Sequence, residues 1–137
     1  MIKKQKAFTL VELLVAISIV ALLASVLVVA LWGTRVSGRD AKREVEQASI
    51  SKALEYHYSE KGEYPIITDW VSIEEDETFS TDMEEYLTKI PEDPLYGQTG
   101  EGDEPYSYQY MSSDDGQHYA IKILYEEKGS VTTYSSP

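Results

Sequence analysis

Residues 8–32 read FTLVELLVAISIVALLASVLVVALW and decide the architecture of this 137-residue chain. The last 20 of these residues, from Leu13 to Trp32, include no charged residue, glycine or proline. A helix of that length is about 30 Å long, which is the thickness of the hydrocarbon core of a membrane. The segment 8–32 is therefore predicted to be a hydrophobic transmembrane helix that crosses the membrane once.

The residues before this segment are basic: they include Lys3, Lys4 and Lys6 and no acidic residue. A basic start followed by an apolar run is also the outline of a secretory signal peptide. A signal peptide, however, has a shorter apolar region that ends in a small-x-small cleavage site, whereas this run leads into Trp32 and Gly33. We therefore expect the apolar run to stay in the mature protein.

Glu12 is an ionisable residue at the edge of the apolar run. An uncompensated carboxylate in hydrocarbon is costly, so this side chain needs either water or a positive partner. On an ordinary membrane anchor, a carboxylate that reaches up to the headgroups is the simpler interpretation. The second interpretation, in which a positive group pairs with the Glu12 carboxylate, requires a positive charge nearby.

The three lysines, Ala7 and the sequence Phe8-Thr9-Leu10-Val11-Glu12 resemble the class III signal of the type IV pilin and type II secretion pseudopilin superfamily. In that family Ala7 would usually be a glycine. The resemblance implies that a prepilin peptidase cuts between Ala7 and Phe8 and methylates the new Phe8 amine. It also implies that Phe8 and Glu12 are assembly residues. The Phe8 amine of one subunit would pair with Glu12 of its neighbour, and a low dielectric would strengthen that pairing.

The resemblance further implies a structural filament subunit and not an enzyme. The implied partners are copies of the chain in a homo-polymer, minor pilins, the prepilin peptidase, a platform membrane protein and a cytoplasmic assembly ATPase. The subunit would lie in the cytoplasmic membrane with its C-terminal head outside the cytoplasm, and in a filament after assembly. Secretion, adhesion, motility and DNA uptake all stay open as roles. The alternative is a monomeric, single-pass, membrane-anchored binding module with an acidic extracytoplasmic head.

Residues 33–64 are predicted to continue the helix as an amphipathic segment, with Gly62 and Pro65 ending it. The charged run from Arg39 to Glu44 is interpreted as a solvent-facing side of this helix. The predicted buried stripe, at helical spacing, consists of Ala41, Val45, Ala48, Ile50, Ala53, Leu54, His57 and Tyr58.

Residues 65–137 are predicted to form an acidic globular head. We expect a loop from Ile66 to Phe79 and a short helix that a capping box opens at Thr81 and that runs through Leu87. With residues 1–7 as the leader, the predicted fold class is α+β and pilin-like, a long N-terminal helix packed on a small antiparallel sheet of about three strands. The expected strands are Tyr106–Tyr110, Tyr119–Tyr125 and Val131–Tyr134.

Two segments of the head resemble the major pseudopilin subgroup. Gly62-Glu63-Tyr64-Pro65 resembles the Gly-x-Tyr-Pro that ends the first helix there. Ile90-Pro91-Glu92-Asp93-Pro94-Leu95 resembles the Leu-Pro-x-Asp-Pro segment that leads into the sheet. Their order along the chain agrees with the signal at the N-terminus.

The charge of the head restricts its partners. From Ala53 to the end, 4 lysines stand against 20 acidic residues, which gives 4 − 20 = −16. An acidic surface repels phosphate backbones, so direct nucleic-acid binding is not expected. The chain has no cysteine, which excludes disulfides, thiolate metal clusters and cysteine nucleophiles.

No cofactor is expected, with one candidate exception. Asp114 and Asp115 could offer carboxylate ligands to Ca²⁺, although a polar hairpin turn is the favoured interpretation of this pair. His57 is interpreted as a packed core residue and His118 as a loop or strand-edge residue. No motif of nucleophilic, zinc-dependent or phosphate-binding catalysis is present.

Overall fold

The computed structural model describes residues 8–136 and has an α+β fold. The long N-terminal helix and the antiparallel sheet that follows it are confirmed, in the pilin-like layout that the resemblance implies. A 3₁₀ segment, Glu101–Asp103, precedes the second strand. The helices are α1 (Leu10–Lys61) and α2 (Glu77–Met83), and the strands are β1 (Val71–Ser72), β2 (Gln109–Ser112), β3 (Tyr119–Tyr125) and β4 (Ser130–Ser135).

The chain divides into two compact units, the first of which ends at Arg35 while the second begins at Val36. The first unit contains the apolar part of α1. In the second unit the remainder of α1 packs with the sheet and its connecting loops into one hydrophobic core.

Helix α1 ends where the sequence predicts. Gly62 has a φ of +82°, and its N–H donates to the carbonyl of Tyr58 at 2.8 Å. This is the left-handed C-terminal cap, which a residue without a Cβ adopts at little cost. The helix thus stops at Lys61, and the next residues reach the turn between β2 and β3, where Tyr64 N–H donates to the Gly116 carbonyl.

The sheet has four strands in the order β1-β2-β3-β4, and each neighbouring pair is antiparallel. The sequence predicts about three. It misses β1 because a two-residue strand is too short to show alternation. The β3 bounds are confirmed, β4 is one residue longer at each end than expected, and β2 is displaced towards the C-terminus of the predicted Tyr106–Tyr110 segment.

The turn between β2 and β3 is confirmed at Asp114-Asp115-Gly116. Gly116 has a φ of +62°, and a Cβ on it would lie 2.9 Å from the Cβ of Glu63. A side chain at this position would therefore be strained by its backbone conformation and crowded by the chain that leaves α1.

The core lies between α1 and the inner face of the sheet. Ile50, Ala53 and Leu54 of α1 pack there with a set of buried tyrosines. Phe79 and Tyr110 have ring centroids 4.9 Å apart. The predicted stripe is correct from Ile50 onward and wrong before it: Ala41, Val45 and Ala48 are exposed.

Tyrosine hydroxyls join the head to carboxylates on α1. Tyr108 donates to Glu46 at 2.5 Å, Tyr64 to Glu55 at 3.0 Å and Tyr86 to Glu60 at 2.5 Å. The bond to the Glu60 carboxylate raises the pKa of Tyr86 to about 12. The rings supply apolar area to the core and the hydroxyls satisfy partners at its edge, which explains why tyrosine outnumbers phenylalanine in this chain.

The short helix of the head lies earlier than predicted. Helix α2 begins at Glu77, and its N-cap is Asp76, whose side chain accepts from Phe79 N–H at 2.7 Å. The predicted capping box at Thr81 is wrong, because Thr81 already lies inside the helix and donates its hydroxyl to the Glu77 carbonyl. The predicted loop Ile66–Phe79 therefore contains β1 and the start of α2.

Candidate functional site

The N-terminus of α1 is closed by a reciprocal hydrogen-bond arrangement between Thr9 and Glu12. Glu12 N–H donates to Thr9 Oγ1 at 3.2 Å. In return, Glu12 Oε2 accepts from Thr9 N–H at 2.8 Å and from Thr9 Oγ1 at 2.7 Å. This is a capping box with Thr9 as the N-cap. This cap was not among the predictions from the sequence, although the Thr-x-x-Glu spacing is its usual signal.

Both hydrogen bonds that Glu12 accepts fall on one carboxylate oxygen. Oε1 has no hydrogen-bond partner in the part of the chain that the structure describes. Phe8, the residue on the C-terminal side of the predicted cut, is 79% exposed. Ala7 and the leader 1–7 lie outside the described residues, so the predicted cleavage site and the pairing of Phe8 with Glu12 stay predictions.

The apolar part of α1 is long and uncovered. It contains an 18-residue window whose length and composition allow it to cross a membrane, and none of that window is buried within the described chain. Leu10, Ile17 and Leu22 are typical, at 80%, 59% and 68% exposed. Exposed side chains of this size in an unbroken run require an apolar surrounding, either lipid or other helices.

Arg43 is the centre of a buried ionic cluster in the head. Its guanidinium is fully buried and holds Asp93 in a two-bond fork, with Nε to Oδ2 at 2.7 Å and Nη2 to Oδ1 at 2.8 Å. Nη1 also donates to Asp40 at 2.6 Å and to Glu126 at 2.9 Å. Tyr106 places its ring 5.0 Å from the guanidinium carbon. One arginine on α1 thereby binds two separate loops of the head.

The outer part of this cluster ties the β3–β4 turn to the helix. Arg39 forms a second fork with Glu126, with both bonds at 2.6 Å. Asp40 accepts from the backbone N–H groups of Glu126 and Glu127 at 3.0 and 2.9 Å. The hydrogen bonds and charges of Arg39 and Arg43 lower the pKa of Glu126. The carboxylate of Glu126 is therefore held in its ionised form.

The prediction that Arg39–Glu44 faces solvent is wrong for Asp40 and Arg43. Asp40 is 8% exposed and Arg43 is 0% exposed, because three carboxylates supply the partners that a buried guanidinium requires. A signal was present: Arg43 lies in phase with Ile50, Leu54 and His57 at spacings of seven, four and three residues.

The residues of the predicted metal site form a hydrogen-bonded turn. Asp115 Oδ1 accepts from Ser113 Oγ at 2.6 Å and from Gln117 N–H at 3.1 Å, and these bonds lower the pKa of Asp115. Asp114 is exposed. Among residues 8–136 no group of three or more His, Cys, Asp or Glu side chains is placed to hold a metal ion. Ca²⁺ at Asp114 and Asp115 stays a prediction.

The two histidines have structural surroundings. His57 is buried, with Nδ1 2.8 Å from the carbonyl of Glu63 and its ring edge-to-face with Tyr86 at 5.4 Å. His118 is exposed, and its backbone N–H donates to Ser113 Oγ. Within the described residues neither imidazole is hydrogen-bonded to a carboxylate in the manner of a catalytic base.

Residues 2–28 match the family model described as the prokaryotic N-terminal methylation motif. The match spans about a fifth of the chain and contains Ala7, Phe8, Thr9 and Glu12. No curated protein and no solved structure matches this chain.

This motif is the prepilin-type signal of type IV pilins and pseudopilins, as the sequence indicates. It supports a type IV pilin-like or pseudopilin precursor and implies processing by prepilin peptidase and assembly with a pilus machinery. It points to a structural protein rather than an enzyme. Together with the uncovered apolar helix, it is consistent with anchoring in a membrane.

Proposed function

We propose that this chain is a structural subunit of a type IV pilus-like or type II secretion pseudopilus filament. The peptidase cuts between Ala7 and Phe8 and methylates the Phe8 amine. Before assembly the subunit is anchored in the cytoplasmic membrane with its head outside the cytoplasm. It then polymerises through the apolar part of α1. The observation that carries this proposal is the match of residues 2–28 to the methylation motif.

The geometry of the capping box supports a role for Glu12 in polymerisation. Thr9 engages Oε2, and no group among residues 8–136 engages Oε1, which leaves this oxygen as an acceptor for an arriving copy. In a filament of parallel helices, the Phe8 amine of an arriving copy donates to this oxygen. Because an unpaired charge is costly in a low-dielectric surrounding, the pair sets the axial register of neighbouring subunits.

The exposed apolar side chains of α1 support the same assignment. Lipid covers them before assembly, and the corresponding helices of other copies cover them in the filament. The exchange of one apolar surrounding for another costs little hydrophobic free energy, so close packing and the ionic pair decide between the two states. Minor pilins, the platform protein and the assembly ATPase complete the proposed machinery.

The alternative function is a monomeric membrane-anchored binding module. A single exposed apolar helix and an acidic head would suit that role equally well. The two proposals differ in what they require of the N-terminus, since a plain anchor needs neither the cut after Ala7 nor the carboxylate of Glu12.

The first experiment measures the intact mass and N-terminal sequence of the protein from membranes of cells with and without a prepilin peptidase. We expect loss of residues 1–7 and one added methyl group on Phe8, only when the peptidase is present. An uncut chain in both strains would remove the basis for the filament and would make the anchored module the leading proposal.

The second experiment replaces Glu12 by alanine in cells that express the complete machinery. We expect filaments to fall below detection in electron micrographs while the amount of protein in the membrane is unchanged, because the arriving amine loses its partner. Glu44→Ala is the matched control, since it removes an exposed carboxylate from the same helix outside the apolar segment. Normal filaments from Glu12→Ala would contradict the proposed pairing.

A further inference from the structure

A cavity on the head lies between the loop 96–107 and the paired strands β1 and β2. Its volume is about 390 Å³, which is within the range of pockets that hold small molecules. Backbone hydrogen bonds fold the loop into a small hairpin: Gly100 N–H donates to the Glu104 carbonyl at 2.8 Å, and Tyr106 N–H donates to the Gln98 carbonyl at 3.0 Å. The wall of the cavity is therefore formed before any ligand arrives.

One buried polar group in this wall has no partner. Ser107 lines the cavity and is 5% exposed. Its Oγ is the one buried side-chain oxygen or nitrogen among residues 8–136 that lacks a hydrogen-bond partner. An unsatisfied buried hydroxyl costs free energy, so folded chains rarely keep one unless a water or a ligand completes it. A molecule in the cavity is placed to complete this one.

The wall also presents polar side chains that are not used by the fold. The amides of Gln98 and Gln109 and the hydroxyl of Thr99 form no hydrogen bond within the described part of the chain. The amides of Gln47 and Gln117, which lie elsewhere, are both bonded. An amide side chain offers donors and an acceptor on neighbouring atoms. The cavity thus suits a ligand that has several groups able to both donate and accept.

Aromatic rings and the local charge restrict the ligand further. Tyr96, Tyr106 and Pro105 give the cavity apolar surfaces, and the tyrosine rings are flat. Glu75 Oε1 accepts from the Tyr96 hydroxyl at 2.5 Å, which holds that ring beside a carboxylate. The described residues that line the cavity include no lysine, arginine or histidine, so an anionic ligand is disfavoured.

We propose that this cavity binds a neutral saccharide through one pyranose ring. The apolar face of the sugar packs on Tyr96, and its hydroxyls bond to the two glutamine amides and to Ser107 Oγ. A quaternary ammonium, which tyrosines and a carboxylate also attract, would leave the amides and the serine hydroxyl without partners. The inference goes beyond the filament proposal and does not depend on it, since the cavity lies in the head whether the chain assembles or stays anchored.

The test titrates the full chain with glucose, galactose, mannose and N-acetylglucosamine. The micelles are of a polyoxyethylene detergent, whose headgroup contains neither a sugar nor an ammonium group. Binding is followed by NMR of the side-chain amides, which is simple here because the chain has five glutamines and no asparagine.

We expect at least one of these sugars to shift the amide signals of Gln98 and Gln109 and to leave those of Gln47 and Gln117 in place. The dissociation constant should be on the order of 1–10 mM, the affinity that a ligand of about a dozen non-hydrogen atoms reaches. Choline, the cationic control, should give no saturable shift.

Variants in the wall separate sugar binding from a structural role. Ser107→Ala should weaken the sugar at least about threefold without lowering the urea midpoint of the free protein, because no hydrogen bond of the fold is lost. Tyr96→Leu should weaken it about tenfold, whereas Tyr56→Leu, which removes an exposed ring from α1, should not. Should Tyr96→Leu fold poorly, Gln98→Ala and Gln117→Ala form a second pair, of which only the first should weaken binding.

Four results would overturn the proposal. The first is no saturable shift of Gln98 and Gln109 by any of the sugars well above the expected dissociation constant. Equal shifts of Gln47 and Gln117 would show non-specific contact with the chain. Sugar binding that Ser107→Ala leaves unchanged would assign the buried hydroxyl to a trapped water. A saturable shift by choline alone would assign the cavity to an alkylammonium ligand.

Discussion

At the scale of single residues, Arg43 connects the sequence to the stability of the head. A guanidinium presents five donors in a planar fork, and this one makes four hydrogen bonds, two to Asp93 and one each to Asp40 and Glu126. Asp93 is 3% exposed, so its carboxylate has little water to replace a lost partner. Removal of the arginine would leave a buried negative charge, which is the costly way to break such a pair.

We expect Arg43→Met to lower the free energy of unfolding of the head by about 3–5 kcal/mol, because it leaves the carboxylates of Asp93 and Asp40 without their cation. Urea unfolding of the full chain in micelles, followed by tyrosine fluorescence, measures this loss. Lys42→Met is the matched control: Lys42 is half exposed in its 3.4 Å pair with Glu46, so its removal should cost less than about 1 kcal/mol. Equal losses in the two variants would contradict the role given to the cluster.

At the scale of secondary structure, α2 shows how one cap determines where a short helix begins. Two sets of residues could start it: Asp76 with the N–H of Phe79, or Thr81 with Glu84 three residues later. The structure uses Asp76, and this choice turns Phe79 and Met83 into the core. A start at Thr81 would place Phe79 before the helix, outside the apolar face that α2 presents to the core.

We expect Asp76→Ala to destabilise the head by about 1 kcal/mol, since the N–H of Phe79 loses its acceptor. Ser80→Ala lies in the same helix at an exposed position and should change stability by less than about 0.5 kcal/mol. Urea midpoints of the two variants give the comparison. A loss of similar size from Ser80→Ala would show that the effect belongs to the helix as a whole and not to its cap.

At the scale of the whole molecule, the excess of acidic residues makes the pH dependence of stability informative. Two carboxylates of the head make opposite contributions to the pH dependence of its stability. Burial raises the pKa of Glu74, even though Tyr108 N–H and Ser72 Oγ donate to it. The hydrogen bond from Arg39 is the main reason that the pKa of Glu126 is lowered.

We expect the head to be most stable near pH 4 to 5, around the ordinary pKa of a glutamate, about 4.3. As the pH falls from 7 through the raised folded pKa of Glu74, the folded state binds a proton before the unfolded state does, so stability increases. Below the ordinary glutamate pKa the unfolded state binds the proton of Glu126 first, so the contribution of Glu126 is lost as the pH falls through its lowered folded pKa.

Unfolding free energies at pH 7, 4.5 and 3 measure this curve. Glu74→Gln should remove the increase between pH 7 and 4.5, and Glu126→Gln should reduce the decrease between pH 4.5 and 3. A curve that both variants leave unchanged would show that other groups control the acid response.

The sequence by itself determined the parts of this protein that depend on local patterns. An apolar run of 20 residues, a Thr-x-x-Glu start and the order of the prepilin-type signal are all readable without a fold, because a membrane helix and a peptidase recognise contiguous residues. The stop at Gly62 and the turn at Gly116 are equally local, since each rests on a backbone conformation that favours glycine.

Only the tertiary structure decided which side of α1 faces the head between Asp40 and Ala48. The apolar pattern favoured Ala41 and Val45, yet Asp40 and Arg43 are the residues that are buried. Arg43 is the fully buried one. Its partner Asp93 is 50 residues away in the chain and Glu126 is 83 residues away. A charge can be buried only where opposite charges and hydrogen-bond acceptors converge on it. That convergence is a property of the folded chain: helical phase places Arg43 on the buried side of α1, but it does not identify the partners that allow the charge to be buried there.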